Sequence, residues 1–262
     1  MEFWQSAPQY KLRPDDKYCI FGDSHFGARN YADDFQSQHN ITLNTFHKLV
    51  KDGYKFIPNG DITDLLEVKK LSKIFICYYE LMTLIYSNLA ECDTIEGRRK
   101  GIGFHNHDKE FPQQAQDANW FKRLVPNPCF WRVARLGDNA YITHGDLGDF
   151  WNDDKNWEFT KWIVGKVWKT WQLIRKKPSE TSPAHNDELK SKMEAGYIIA
   201  TALLGLMGIY NHLHQAKMLG LYTNTGSFTH KGVITYALVT DMRLYLMKTT
   251  KDETTVLAKT SL

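Results

Sequence analysis

Short apolar runs in this chain end repeatedly in clusters of Asp, Asn and His. Lys17 to Phe21 leads into Gly22-Asp23-Ser24-His25, and Tyr54 to Pro58 leads into Asn59-Gly60-Asp61-Ile62-Thr63-Asp64. Gly101 to Phe104 leads into His105-Asn106-His107-Asp108, and Ala140 to Thr143 into His144-Gly145-Asp146. Leu206 to Tyr210 leads into Asn211-His212-Leu213-His214. Six of the ten histidines fall in these clusters, each near an Asp or Asn. Short apolar runs bounded by turn residues read as buried strands. The clusters therefore sit at strand C-terminal ends, where open α/β sheets bind ligands.

Between the first two strands, Ile41, Phe46, Leu49 and Val50 stand at helical spacing. A longer apolar-periodic stretch, about Asp64 to Leu89, contains neither Pro nor Gly and reads as one long helix. The order strand, helix, strand, helix, strand argues for an α/β sandwich on a mainly parallel sheet. The second half differs. Phe130 to Leu136, Gly137-Asp138-Asn139 and Ala140 to Thr143 read as a hairpin. Leu206–Tyr210, Leu221–Ser227, Val233–Val239 and Arg243–Met247 read as further strands, with Asp241-Met242 as a hairpin turn. A helical insertion of roughly Asp146 to Ala200 separates His144 from His212.

A chain of 262 residues fits one large domain, here 1–262 with an insertion at 147–200. A net charge of +3 is too mild to imply nucleic acid by itself, so a basic surface must be argued locally. Arg98-Arg99-Lys100, just before the third strand, reads as a solvated loop, the alternative being a phosphate or nucleic-acid contact. The start, Met1-Glu2-Phe3-Trp4-Gln5, has no basic and apolar leader pattern. Cys19, Cys77, Cys92 and Cys129 form no Cys-x-x-Cys pair and read as free thiols of a reducing compartment. A cytoplasmic protein is expected. The uncharged run Ala195 to Tyr210 is shorter than the ~20 residues a membrane helix requires.

Residues i and i+2 of a strand point to the same side. Asp23 with His25, and His212 with His214, can each present two ligands together. Asp61 adds a carboxylate able to bridge two ions, and Asn106 and His144 add further donors. This N/O set suits Mn²⁺, Fe or Zn²⁺ rather than a thiolate zinc site, with Mn²⁺ favoured. Two ions bridged by a carboxylate are a recurrent device for phosphoester hydrolysis. His107, beside Asn106, is the candidate proton donor, and Asp64 could hold it as imidazolium.

The ordered series Asp23-x-His25, Gly60-Asp61-x-x-Asp64, Asn106-His107-Asp108, His144-Gly145 and His212-x-His214 resembles the calcineurin-like metallophosphoesterase superfamily across residues 23–214. The resemblance implies a four-layer αββα metallophosphoesterase sandwich with a helical cap insertion. It implies one ion held by Asp23, His25, Asp61 and His214, and a second by Asp61, Asn106, His144 and His212. It also implies His107 as the catalytic histidine with Asp64 orienting it. Two positions depart from the family pattern. His105 and Asn211 stand where glycines are expected, and His105 is itself a candidate substrate contact.

Five of the eight tryptophans lie between Trp151 and Trp171, and Trp157, Trp168 and Trp171 share a helical face with Ile163, Val164, Val167 and Ile174. With Lys155, Lys161, Lys166, Lys169 and Lys176 largely opposite, such a helix can line an acyl-chain cleft, lie on a membrane's inner face, or simply pack on the domain. Its place between His144 and His212 is similar to that of the cap in UDP-diacylglucosamine pyrophosphatases, although those enzymes commonly carry Arg where this chain has His107. The expected substrate is a phosphodiester or pyrophosphate of a nucleotide or lipid, with a nuclease and an inactive metal-binding scaffold as alternatives. Asn224-Thr225-Gly226-Ser227 is a candidate wall of the site.

Overall fold

The computed structural model describes residues 7–30, 33–145 and 187–262. Strand β2, Tyr18–Phe21, runs parallel to β3, Lys55–Pro58, with Tyr18 opposite Lys55. Both are short because a polar cluster interrupts each apolar run. Helix α1, His39–Lys51, forms the crossover between them and buries Thr42, Phe46 and Leu49, one stripe at helical spacing. The same sheet continues through β12 (Val233–Thr240), β13 (Arg243–Thr250) and β14 (Thr254–Ser261), in the order β14-β13-β12-β2-β3. Asp241 and Met242 both adopt positive φ, 51° and 57°, as a tight two-residue hairpin turn requires.

A second, nine-stranded sheet contains β1 (Gln9–Tyr10), β4 (Glu91–Thr94), β5 (Gly97–Gly103) and β6 (Pro128–Trp131). It also contains β7 (Val133–Leu136), β8 (Ala140–Thr143), β9 (Met207–Tyr210), β10 (Lys217–Leu219) and β11 (Tyr222–Asn224). Their order is β10-β11-β9-β8-β7-β1-β4-β5-β6. The protein is thus mixed α/β with two sheets, not built on one mainly parallel sheet. Within the larger sheet, parallel pairs such as β8·β9 and β5·β6 are mixed with antiparallel pairs such as β4·β5 and β7·β8. The third strand read from the sequence lies in this second sheet, not beside the first two. Apolar runs report burial but not the partner. Short links such as Ile95-Glu96 decide it, because they allow only an antiparallel neighbour.

Three further readings are corrected. The long helix expected over Asp64–Leu89 is three helices: α2 (Leu65–Val68), α3 (Leu71–Cys77) and α4 (Tyr79–Ser87). Lys69 turns left-handed at φ 62°, and Gln114 holds the break by accepting from Leu71 N at 2.7 Å and donating to Lys69 O at 3.1 Å. Arg98-Arg99-Lys100 is not a loop before a strand but part of β5. Arg98 and Lys100 pair with Glu91 at 2.9 and 3.2 Å, and Arg99 pairs with Glu96. The run Phe130–Leu136 divides at Arg132, so β6 pairs with β5 while β7 forms the hairpin with β8.

Tyr18, Ile20, Ile57, Ala237 and Val239 from the five-stranded sheet share one apolar core with Trp131, Ala134, Ile142 and Ile209 from the nine-stranded sheet. The other face of the five-stranded sheet packs Phe21, Phe56 and Tyr236 against helical residues Phe46, Leu81 and Ile85. Helix α7, Asp187–Leu204, reaches the other side of the larger sheet, where Tyr197 and Ile198 pack on Tyr141, Tyr210 and Tyr222. The four cysteines are free thiols, Cys19 and Cys92 buried. Among the described residues no helix is long and apolar enough to cross a membrane. Helix α7 covers the C-terminal part of the expected insertion. Its remainder, with Trp157, Trp168 and Trp171, lies outside the described residues.

Candidate metal centre

The strand-end clusters converge because backbone hydrogen bonds tie one to the next. Asp23 N donates to Gly60 O at 3.2 Å, while Ser24 N and His25 N donate to Asp61 O at 2.9 and 3.0 Å. Asn211 N and His212 N both donate to His144 O, at 3.2 and 3.0 Å. A parallel bridge between Asn59 and Gly103 brings the end of β3 to the end of β5, across the two sheets. Phe228 N donates to Asp23 O at 3.1 Å, which seats the segment after β11 against the same centre.

The backbone is strained where the candidate ligands sit. Asp23, His25, Asp61 and His214 have φ of 47°, 49°, 51° and 56°. Non-glycine residues rarely adopt this region, and such strain concentrates at functional sites. Here Asp23 and His25 lie beyond the end of β2, not on a strand face.

The ligand atoms of Asp23, His25 and His214 lie within 4.8 Å of one another, as do those of Asp61, His144 and His212. Asp23 Oδ1 is 3.3 Å from His214 Nε2, 3.5 Å from His25 Nε2 and 3.7 Å from His144 Nε2. Asp61 Oδ2 is 3.0 Å from His144 Nε2, which is 3.1 Å from His212 Nδ1. His25, Asp61 and His107 form a third such group, so Asp61 belongs to two. Asp23, Asp61 and His144 are essentially inaccessible. Asn106 Oδ1 is buried with no hydrogen-bond partner among the described residues. Two buried carboxylates, four imidazoles and an orphaned amide oxygen fit divalent ions taking nitrogen and oxygen donors.

Electrostatics agree with this arrangement. Burial alone would raise the Asp23 carboxyl, but the fields of His214 and His144 outweigh it and hold it well below the usual range. Asp61 is likewise depressed, with His144 overcoming burial. Burial pushes His214 down despite Asp23, favouring the neutral imidazole a metal needs. His107 moves the other way. Burial opposes its charge, yet the Asp64 hydrogen bond and the charges of Asp61, Asp64 and Asp23 raise it to about 9.

His107 is held from two sides. Its Nδ1 lies 3.4 Å from Asp64 Oδ1, and its backbone N donates to Asp61 Oδ1 at 2.9 Å. Its ring meets His25 edge-on at 4.3 Å between centroids, and one fifth of its side chain is exposed. Asp64 also caps α2 by accepting from Glu67 N at 3.1 Å. His105 differs from the expectation of a substrate contact. It is fully buried, its ring 4.9 Å from that of His144 and packed over Gly60.

Sequence reasoning assigned no role to several residues that shape the site. Asp108 accepts from His105 N at 2.5 Å and Ile62 N at 3.0 Å, fixing the loop that carries Asn106 and His107. Burial and the charge of Asp61 raise its carboxyl to about 8. Thr229 Oγ1 lies 3.4 Å from His214 Nδ1 and 2.9 Å from Ser227 Oγ, so the segment after Asn224 supports a candidate ligand. Asp108 stood in a recognised cluster, but nothing local in the sequence marks Thr229. No protein-family model matches this chain, and no curated protein matches it.

Proposed function

We propose that this chain is a metallophosphoesterase with two divalent ions, Mn²⁺ favoured, on a four-layer αββα sandwich. We infer that it hydrolyses a phosphodiester or pyrophosphate bond of a nucleotide- or lipid-linked substrate. The observation that carries the reading is Asp61. Its carboxylate is buried and belongs to two groups, one with His144 and His212 and one with His25 and His107. A bridging carboxylate occupies such a place. In this reading Asp23, His25, Asp61 and His214 hold one ion, and Asp61, Asn106, His144 and His212 the other. The sandwich is supported by a core between the sheets and by helices packed on their outer faces.

The ions supply positive charge for phosphate oxygens and acidify water near neutral pH. The chain's residues do the rest. His107, raised to about 9 and partly exposed, holds a proton at neutral pH at the edge of the ligand cluster. It can release that proton to a departing alkoxide or phosphate oxygen. Asp64 keeps the Nδ1 side of the ring occupied, leaving Nε2 for the substrate. Against an inactive scaffold stands the retention of all seven candidate ligands, four of them at positive φ.

The test is a metal-loaded substrate panel: bis-p-nitrophenyl phosphate, p-nitrophenyl phosphate, UDP-sugars and single-stranded DNA with added Mn²⁺. Turnover of the diester or of UDP-sugars above the monoester supports the proposal. Turnover of DNA alone moves the reading to a nuclease. Protein that holds less than one transition-metal ion after loading sinks it.

A further inference from the structure

One buried amide pair touches the strand ends that carry most of the candidate ligands. Asn59, just after β3, is fully buried, and its Nδ2 donates to Thr143 O at 3.0 Å and to Asn211 Oδ1 at 2.8 Å. Those two bonds use both amide hydrogens, which fixes the orientation of Asn59. Asn211 must then present its oxygen to Asn59, so its own Nδ2 points away. It points at Gly22, where a Cβ would come within 1.6 Å of Asn211 Nδ2. Asn211 is also fully buried.

Each end of this contact chain adjoins a candidate ligand. Gly22 precedes Asp23, Asn59 lies two residues before Asp61, Thr143 precedes His144, and Asn211 precedes His212. Strands β2 and β3 belong to the smaller sheet, and β8 and β9 to the larger. The pair therefore crosses from one sheet to the other directly behind the centre. The two ligand sets combine residues from both sheets, so their separation depends on how the sheets are held here. The Asn59–Gly103 bridge and the bonds from Ile62 N to Asp108 and from His107 N to Asp61 tie the end of β3 to that of β5. The amide pair instead ties β2 and β3 to β8 and β9, and the core between the sheets is mainly apolar and non-directional.

We propose that the Asn59–Asn211 amide pair is a positioning brace that locks the two sheets at the spacing and register the paired ligand sets require. This rests on the dinuclear reading above. Neither residue touches substrate in this role. Asn211 stands in one of the two positions where the family pattern has glycine, and the brace gives that departure a physical purpose. The complementary part is Gly22, whose missing side chain leaves room for the Asn211 amide.

Asn59→Leu and Asn211→Leu keep the branched heavy-atom outline, at a somewhat larger volume, and remove the hydrogen bonds. Mn²⁺ binding to metal-free protein is measured by calorimetry, and the loaded proteins are compared by electron paramagnetic resonance. The brace predicts affinity weakened by ~10–100-fold in each variant, the range for groups that orient metal ligands. It also predicts a changed manganese–manganese coupling signal, and a double variant no weaker than the worse single one. Asn211→Gly, which removes the acceptor without adding bulk, carries the test where a leucine variant does not fold. Folded variants with lowered thermal midpoints but unchanged affinity and coupling overturn the brace and leave the dinuclear reading standing. Wild-type protein that holds less than one ion after loading overturns that reading, and the brace with it.

Discussion

Gly60 and His105 fill one space between them. Gly60 has φ 83°, and a Cβ there would lie 2.3 Å from His105 Cδ2. His105 is the other residue standing where the family pattern has glycine, so a ring has taken room that a neighbouring glycine leaves open. Gly60→Ala should therefore be destabilising by at least about 2 kcal/mol, combining overpacking with a left-handed backbone. Urea unfolding of Gly60→Ala, His105→Ala and the double variant checks it. The steric part should be relieved in the double variant, with a coupling of about 1 kcal/mol or more. Strict additivity would show that the two residues do not compete for the same space.

Asp61 is shared between two ligand groups, so its loss should disturb both. Asp61→Asn is expected to lose bound metal and all measurable hydrolysis while remaining folded. His212→Ala should lose hydrolysis and chiefly one ion, because His212 belongs to one group only. Elemental analysis of the purified variants distinguishes the two patterns. Two ions retained by Asp61→Asn would remove its bridging role.

His107 stands close enough to His25 and Asp61 to be counted as a ligand, yet its Asp64 partner suits a proton donor. His107→Asn should keep both ions and lower kcat by ~10²–10⁴, the usual size of a general-acid effect. Metal content and kcat measured on the same preparation decide the matter. Loss of an ion would make His107 a ligand.

Tyr78 OH donates to Asp33 Oδ2 at 2.6 Å, and Arg29 N and Phe35 N also donate to this buried carboxylate. Burial raises Asp33 above its ordinary value despite those bonds. The folded state thus holds the proton to higher pH than the unfolded chain, whose carboxyl titrates at about 3.9. Asp33 consequently contributes stability at low pH that is lost as pH rises through its folded pKa. Tyr78→Phe removes one stabiliser of the charged form and raises that pKa further. Its destabilisation should reach about 1–3 kcal/mol above the folded pKa and shrink toward about pH 4. Unfolding midpoints at about pH 4 and about pH 8 test the sign, and an equal loss at both would contradict it.

Metal removal should lower stability as well as activity. A ligand that binds only the folded state stabilises by about 2.7 kcal/mol at a hundredfold excess over its Kd. Chelator-treated protein is expected to melt several degrees lower and to recover on adding Mn²⁺. A midpoint indifferent to Mn²⁺ would count against an ion at these buried carboxylates.

Much of the site could be read from the chain alone because its residue types are unusual and its spacing local. Asp23 and His25 are neighbours in sequence and share one ligand group, so a strand end and two residues of chain suffice to pair them. His212 and His214, equally close in sequence, divide between two groups. The buried runs before each cluster were equally legible, since apolar composition reports burial directly. The breaks at Lys69 and Arg132 were not. A helix interior and a helix stopped by Gln114 look alike when the stopping group lies 45 residues away.

What the sequence by itself determined was which residues are candidate ligands and that they stand at strand ends. Only the tertiary structure decided which strands lie in which sheet, that Asn59 and Asn211 meet, and that His105 is buried rather than offered to a ligand. The physical reason is range. Residue type and local periodicity act within a few positions, whereas sheet partnership, a hydrogen bond between residues 152 apart and the volume left by Gly60 arise only when distant segments pack together.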